Sequence, residues 1–294
     1  MFVLLLMAGL INPGCRADSP AKQNYELLQH RIISLRNRLA EYSNNGDHPC
    51  AREACAFIFI WSMIGPILNF DPLAANPADA TPPFYVPAID AGLAPLYTGP
   101  DGVPQLQRQL QAIEQQPGGQ PRNFAMRIFS GTVRFSVFRT ARDYFRTHCA
   151  ARIDSRSLDL MRELQRAQID SYIITELPDY LAVHAAEHLP LRANQILANE
   201  VRSYDGILSN EIQEPYLASD GKIQKLSDII QRMRRENPSL DYIFVLGMTA
   251  SSLEDDQPLR DYIQQQRLPV GHPIIARHNG ATLRIDPEVS IHSD

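Results

Sequence analysis

Between residues 21 and 42, apolar side chains recur at Tyr25, Leu28, Ile32, Leu35, Leu39 and Tyr42, alternately three and four positions apart. That spacing is one stripe of an amphipathic helix. Three heptads are marginal for a coiled coil, so the stripe is expected to dock on the body of the protein. Asn44-Asn45-Gly46-Asp47 ends the helix. Phe57 to Trp61 is a continuous apolar run, suited to a strand buried on both faces. Residues 71–121 are rich in Pro and Gly, with Pro82-Pro83, Gly99-Pro100 and Pro117-Gly118-Gly119. They read as loops around one short helix, Pro104 to Gln115, and residues 123–151 read as mostly helical.

From residue 155 the pattern becomes regular. A helix over Ser157–Gln168 leads to a strand at Ser171–Thr175, and a helix starting near Pro178 leads to a strand pair around Asn194–Tyr204. A helix over Lys222–Arg235 leads to a strand at Tyr242–Leu246, and a last helix, Asp256–Gln265, leads to Pro273–Ala276. Helices alternating with short apolar strands predict an α/β fold, a Rossmann-like parallel sheet flanked by helices. Ligands in such folds bind at the carboxyl ends of the strands. Those ends fall here at Ser62, Thr175 and Gly247.

Composition narrows the class without naming a chemistry. The 294 residues carry a net charge of −5 and are 44% apolar and 21% charged, the balance of an ordinary globular protein. The acidic balance argues against nucleic acid as a partner, and Arg232, Arg234 and Arg235 read as a solvated helix face. Phe2 to Ile11 is apolar but too short to span a bilayer, and Asn12-Pro13-Gly14-Cys15 follows it. This resembles a secretory signal, and Gly14-Cys15 resembles the end of a bacterial lipoprotein signal, with a lipid anchor on Cys15. The expectation is an exported chain, periplasmic or membrane-anchored. Cys50 and Cys55 are five apart beside His48. A disulfide or two buried thiols suit them better than a metal, since no second Cys/His cluster completes four ligands. Cys149 reads as core. None of His148, His184, His188, His272, His278 and His292 sits in a nucleophile-elbow or HExxH pattern.

The strand ends carry a resemblance. Ile173-Ile174-Thr175, then Ala198-Asn199-Glu200-Val201-Arg202, Asp205-Gly206, Asp220-Gly221-Lys222 and Ile243-Phe244-Val245-Leu246-Gly247 follow one another at characteristic spacings. In that order they resemble the haloacid-dehalogenase (HAD) superfamily, in its phosphoserine and phosphocholine phosphatase branch. The resemblance covers roughly residues 55–285. It implies a HAD-like core over 55–71 and 151–294, a mainly helical cap inserted at 72–150, an N-terminal helical arm at 16–54 and a signal-like segment at 1–15. In this family a strand ends in Asp-x-Asp-Gly-Thr, supplying the nucleophile and the acid/base. A Ser or Thr and a Lys hold the phosphoryl group, and Gly-Asp-(Ser)-x-x-Asp binds Mg²⁺. The resemblance puts Thr175 at the Ser/Thr position and Lys222 at the Lys position. Lys222 is one of only three lysines, beside Lys22 and Lys225, among 28 basic residues.

The departures lie at the acids. The first motif reads Ser62-Met63-Ile64-Gly65-Pro66, so the nucleophile position is Ser62, the acid/base position Ile64 and the Thr position Pro66. The two metal-binding positions are Met248 and Ser252. Ile64 and Met248 offer no side-chain oxygen to a hard cation, and Ser62 and Ser252 offer only neutral hydroxyls. No catalytic set is intact, no metal site is expected, and no cofactor is required. The implied molecule is an exported pseudo-phosphatase without hydrolase activity. It would bind a small anionic or phosphorylated ligand through Thr175 and Lys222, or a protein partner through the N-terminal helix. The alternative is an active HAD-like phosphomonoesterase using displaced acids, with Mg²⁺ as its cofactor. Asp71, Glu176, Asp205, Asp220, Glu254, Asp255 and Asp256 are available for that role. Asp71 reads as the cap hinge, and Glu254, Asp255 and Asp256 read as first-turn acids favoured at a helix start. A third, structural reading is a membrane tether that assembles through its N-terminal helix.

Overall fold

A computed structural model describes residues 20–44, 55–74, 81–250, 254–268, 272–278 and 282–286. Its centre is β1 (Cys55–Trp61), whose run of Ile, Phe and Trp is parallel to a neighbour on each side. Those neighbours are β2 (Asp170–Pro178) and β6 (Tyr242–Ala250). Beyond them lie β3 (Ile196–Asn199), β7 (Ile275–His278) and β8 (Leu283–Asp286), in the order β3-β2-β1-β6-β7-β8. Only the edge strand β8 is antiparallel.

The alternation of side chains along β1 divides the core in two. Phe59 and Trp61 join Leu246 and Met248 on one face, and Ile58 and Ile60 join Val245 on the other. The second face is covered by α8 (Asp220–Glu236) and α9 (Gln257–Gln264) through Leu226, Ile229, Leu259 and Ile263. The first is covered by α6 (Ser155–Arg166) and by α1 (Pro20–Asn44). Tyr25, Leu28, Ile32 and Leu35 of α1 are buried, as the stripe predicts, against α6 and β8. The side chains of Leu39 and Tyr42 lie outside the described residues. The apolar face once available for a protein partner is therefore largely spent within the chain. Tyr25 anchors it: its hydroxyl is 2.9 Å from Ser157 Oγ and donates to Met248 Sδ at 3.8 Å.

Between β1 and α6 the chain forms the helical insertion α2 (Tyr85–Asp90), α3 (Gly102–Glu114), α4 (Pro121–Arg127) and α5 (Arg134–Tyr144). A second segment joins it. Strands β4 (Val201–Tyr204) and β5 (Ile207–Ile212) form an antiparallel hairpin. Its turn, Asp205-Gly206, has φ of 51° and 78°, the positive pair of a tight hairpin. Leu208 pairs by its backbone with Gly131 and Thr132 of the insertion. The strand pair expected around 194–204 thus splits: β3 enters the main sheet, and β4 turns outward to the cap. The expected helix near Pro178 is only the short α7 (Asp179–Ala182).

Cys55 is disulfide-bonded, and its partner lies outside the described residues, as does the expected pairing with Cys50. Cys149 is free and buried, and burial pushes its thiol up to about 12, so it packs as a small apolar group. His278 is buried at the end of β7, with Nδ1 donating to the Gly65 carbonyl at 2.8 Å. Gly65 itself has a φ of 92°, and a Cβ there would press on Ala250. The turn after β1 therefore needs both residues.

Replacing Ile32 with Ala should cost about 2–5 kcal/mol, the usual range for emptying a core site, read by urea unfolding. Burial holds the His278 imidazole below its ordinary value of 6.5 despite the Gly65 bond and the charge of Asp154. The unfolded chain thus takes the proton first. The stability this histidine contributes is present above 6.5 and is lost as pH falls through its lowered folded value. A plot of melting temperature against pH should fall on acidification, with a shallower slope in His278→Asn; an unchanged slope would refute the assignment.

Candidate functional site

At the carboxyl ends of the parallel strands, side chains from separate elements meet in one charged chain. Ser62, the first residue after β1, is buried, and its backbone amide donates to the Met248 carbonyl at 2.9 Å. Its hydroxyl donates to Asp256 Oδ2 at 2.8 Å. The same oxygen accepts from the Ala250 amide at 2.9 Å, and the other Asp256 oxygen is bonded by the Lys222 ammonium. Lys222 also donates to Glu176 Oε1 at 2.8 Å. Glu176 Oε2 accepts from Arg122 Nη1 at 2.6 Å, and Arg122 Nε reaches Asp71 Oδ2 at 2.8 Å. Lys222, Asp256 and Glu176 are each 3% exposed or less.

The local reasons are legible. Lys222 sits in the first turn of α8, where Gly221 is required: a Cβ there would fall on the Tyr216 carbonyl oxygen. Glu176 lies near the end of β2, and Asp256 just ahead of α9. Asn199 ties these parts together. Its amide donates to the Glu176 carbonyl at 2.7 Å, and its oxygen accepts from the Leu217 amide at 2.7 Å. Arg122 comes from the cap, at the start of α4 with Pro121 before it.

The electrostatics follow from burial and alternation. Burial alone would lower the Lys222 ammonium, but the charges of Asp256 and Glu176 and their hydrogen bonds hold it above its ordinary range. Burial pushes Glu176 up, against the opposing pull of Lys222 and Arg122. Arg122 is likewise held up by Asp71 and Glu176 against the cost of its burial. A buried carboxylate without its cation is costly, so these groups stand or fall together.

The structure brings Ser62 and Lys222 into one network, and adds Asp256, Glu176, Arg122 and Asp71. It does not leave Lys222 open to an anion, because two carboxylates already hold its charge. Thr175 is buried, and its hydroxyl accepts from the Leu177 amide at 3.2 Å. Met248 pairs with Trp61 across the strands but turns its sulfur to Tyr25 of α1. Ile64 forms a lone bridge with Leu68 in the turn. Ser252 lies outside the described residues. Asp256, expected to cap a helix, makes no side-chain capping bond and instead turns inward to Ser62, Lys222 and Ala250. Sequence reasoning missed Arg122 and Asn199. Pro121 at a helix start was the available signal for the first, and the second lay in the segment Ala198–Arg202 that carried the resemblance, without being singled out.

Mg²⁺, which the resemblance implies, does not fit these residues. The Lys222 ammonium already bridges the two nearest carboxylates, and the Ser62 hydroxyl spends its proton on Asp256. A dication would have to share that space with an ammonium and, among the described residues, lacks the oxygen set it prefers. Among the described residues, no group of three or more His, Cys, Asp or Glu is placed to hold a metal. Above the network lies a cavity of about 620 Å³ between cap and core, lined by Asp71, Glu114, Arg122, Glu176, Tyr216 and Asp255 among others.

No protein-family model matches the chain, and no curated protein does. A crystal structure of a protein of unknown function from Bordetella pertussis Tohama I aligns at a TM-score of 0.56 and 13% identity, over 71% of this chain and 87% of that one. A phosphoserine phosphohydrolase-like protein from Francisella tularensis subsp. tularensis SCHU S4 aligns at 0.42 and 12%, over 70% and 82%. A phosphoserine phosphatase from T. onnurineus aligns at 0.43 and 10%, over 78% and 94%. The first of these likenesses shows the fold alone: an α/β molecule whose largely parallel sheet is ordered around β1, with a helical insertion after that strand. At this identity it leaves the chemistry to the side chains.

Lys222→Met should destabilise the protein by about 3–5 kcal/mol, because it strands two buried carboxylates. Adding Glu176→Gln and Asp256→Asn should recover much of that loss in urea unfolding. The stability that Lys222 contributes is fully present below its ordinary 10.5 and is lost only as pH rises through its higher folded value. A single-variant loss under about 1 kcal/mol, the value of an exposed pair, would show the network to be incidental.

Proposed function

We propose that this HAD-like protein is a pseudo-phosphatase that acts by binding rather than by hydrolysis. The observation that carries the reading is the Lys222 ammonium lodged between Glu176 and Asp256, with the Ser62 hydroxyl donating to Asp256. Phosphoryl transfer needs a nucleophile, an acid/base and charge neutralisation on the phosphoryl oxygens. Here Ser62 replaces the nucleophile and is almost wholly buried, Ile64 replaces the acid/base, and the nearest cation is neutralised internally. Among the described residues, the cavity above carries Asp71, Glu114, Glu176 and Asp255 against one lining base, Arg122. That balance favours a neutral or amine-bearing ligand over the phosphorylated one expected from the motif positions.

Export remains part of this proposal. It is supported by the signal-like residues 2–15 and by a disulfide at Cys55, which fits an oxidising compartment.

The purified chain should show no turnover of an aryl phosphate above buffer, with or without added Mg²⁺. Metal-dependent turnover that disappears in Glu176→Gln or Asp256→Asn would establish the phosphomonoesterase instead.

A further inference from the structure

A second concave surface lies away from the crevice. Among the described residues, six large apolar side chains are strongly exposed, and four of them, Val133, Phe135, Tyr204 and Ile207, belong to the region where the cap meets the β4–β5 hairpin. Val133 and Ile207 face each other in an antiparallel bridge, and Phe135, at the start of α5, is 73% exposed. Between α5 and the hairpin turn runs a groove of about 570 Å³, floored by Val133, Phe135 and Phe138 and reaching Gly206. Exposed apolar patches rimmed by charge mark interaction sites more often than they mark free surface.

The rim is basic on an otherwise acidic molecule. Arg134 is committed to Asp179 at 2.7 Å and stacks on Phe138. Arg139 and Arg142 are not so committed. Arg139 is exposed, and Arg142 stands 3.9 Å from Asp143, with both side chains largely in water, a pair of little strength. Phe135, Arg139 and Arg142 recur four and three residues apart on the exposed side of α5. That spacing sets one aromatic and two guanidinium groups along a single helix face.

We propose that this groove docks an acidic segment of a partner protein, which inserts one large apolar side chain beside Phe135 and pairs carboxylates with Arg139 and Arg142. Guanidinium groups suit carboxylates through paired, charge-assisted hydrogen bonds. A concave apolar floor with arginines at its rim matches an apolar anchor flanked by acids one and two helical turns away. A flat anionic bilayer fits less well, because the exposed acids Asp143, Glu187 and Glu211 stand around the same region and would face its headgroups. A narrow segment can meet the arginines and avoid those acids. The groove shares no lining residue with the cavity above the crevice, so the proposal holds whether or not the crevice hydrolyses anything.

The test is a selection of random 16-residue displayed peptides on the full-length protein, followed by fluorescence anisotropy with the selected peptides. Selected peptides should carry a Phe, Leu, Trp or Met with Asp or Glu one and two helical turns away. Their affinity should fall at least tenfold in Phe135→Ala and in Arg139→Glu/Arg142→Glu, and several-fold between 50 and 500 mM salt, about as expected for exposed charge pairs. Both variants lie on the surface and should keep the wild-type melting temperature to within a few degrees, roughly the effect of a solvent-facing substitution. Peptides without acidic bias, or affinities unmoved by either variant, would overturn the proposal. So would phosphatidylserine vesicles binding in a Phe135-dependent way while no peptide does, or a concentration-dependent dimer that Phe135→Ala abolishes.

Discussion

The ammonium of Lys222 is the point on which the crevice depends. Two carboxylates from different elements, Glu176 on β2 and Asp256 ahead of α9, are buried within bonding distance of one cation. Burying any one of the three alone would cost more than a small protein can spare. Together they satisfy one another and draw the end of β2 and the starts of α8 and α9 to one place. Ser62 completes the arrangement by giving its proton to Asp256, and the strand at the centre of the sheet is thereby tied into the same network.

The network does not stop at the core. Arg122 carries it from Glu176 to Asp71, and so from the sheet to the helical insertion. The cap is thus held over the crevice by charge as well as by its apolar underside, and its position is coupled to the ionisation of buried groups. The hairpin β4–β5 braces the insertion from another side by backbone pairing with residues 131–134. These two ties explain how a long, Pro- and Gly-rich insertion keeps a defined place on the sheet.

A hydrolytic HAD site gathers carboxylates around a divalent ion and leaves a nucleophile open beside it. Here the carboxylates gather around a side chain of the protein itself. An ammonium on a covalent tether cannot leave, and it brings no open coordination position for a phosphoryl oxygen. The same physical need, neutralising clustered acids out of water, is met internally.

Periodicity alone disclosed most of the framework. The α1 stripe, the apolar β1 run and the helix-strand alternation after residue 155 report burial on one face or two, and burial is a property of residue type and spacing. The edge strand β8 and the hairpin strand β5 escaped notice because Leu-Arg-Ile-Asp and Ile-Leu-Ser-Asn-Glu-Ile are short and half polar, and their strand character comes from pairing with distant backbone. Motif order likewise placed Ser62 and Lys222 at one site. It did not show that Lys222 would be neutralised, or that Asp256 would turn inward rather than cap its helix. Those outcomes rest on which way a side chain points once strands, helices and cap are packed. Local residue pattern determines which elements form and which faces they bury; the pairing of buried charges belongs to contacts between positions far apart in the chain, and only the folded arrangement decides them.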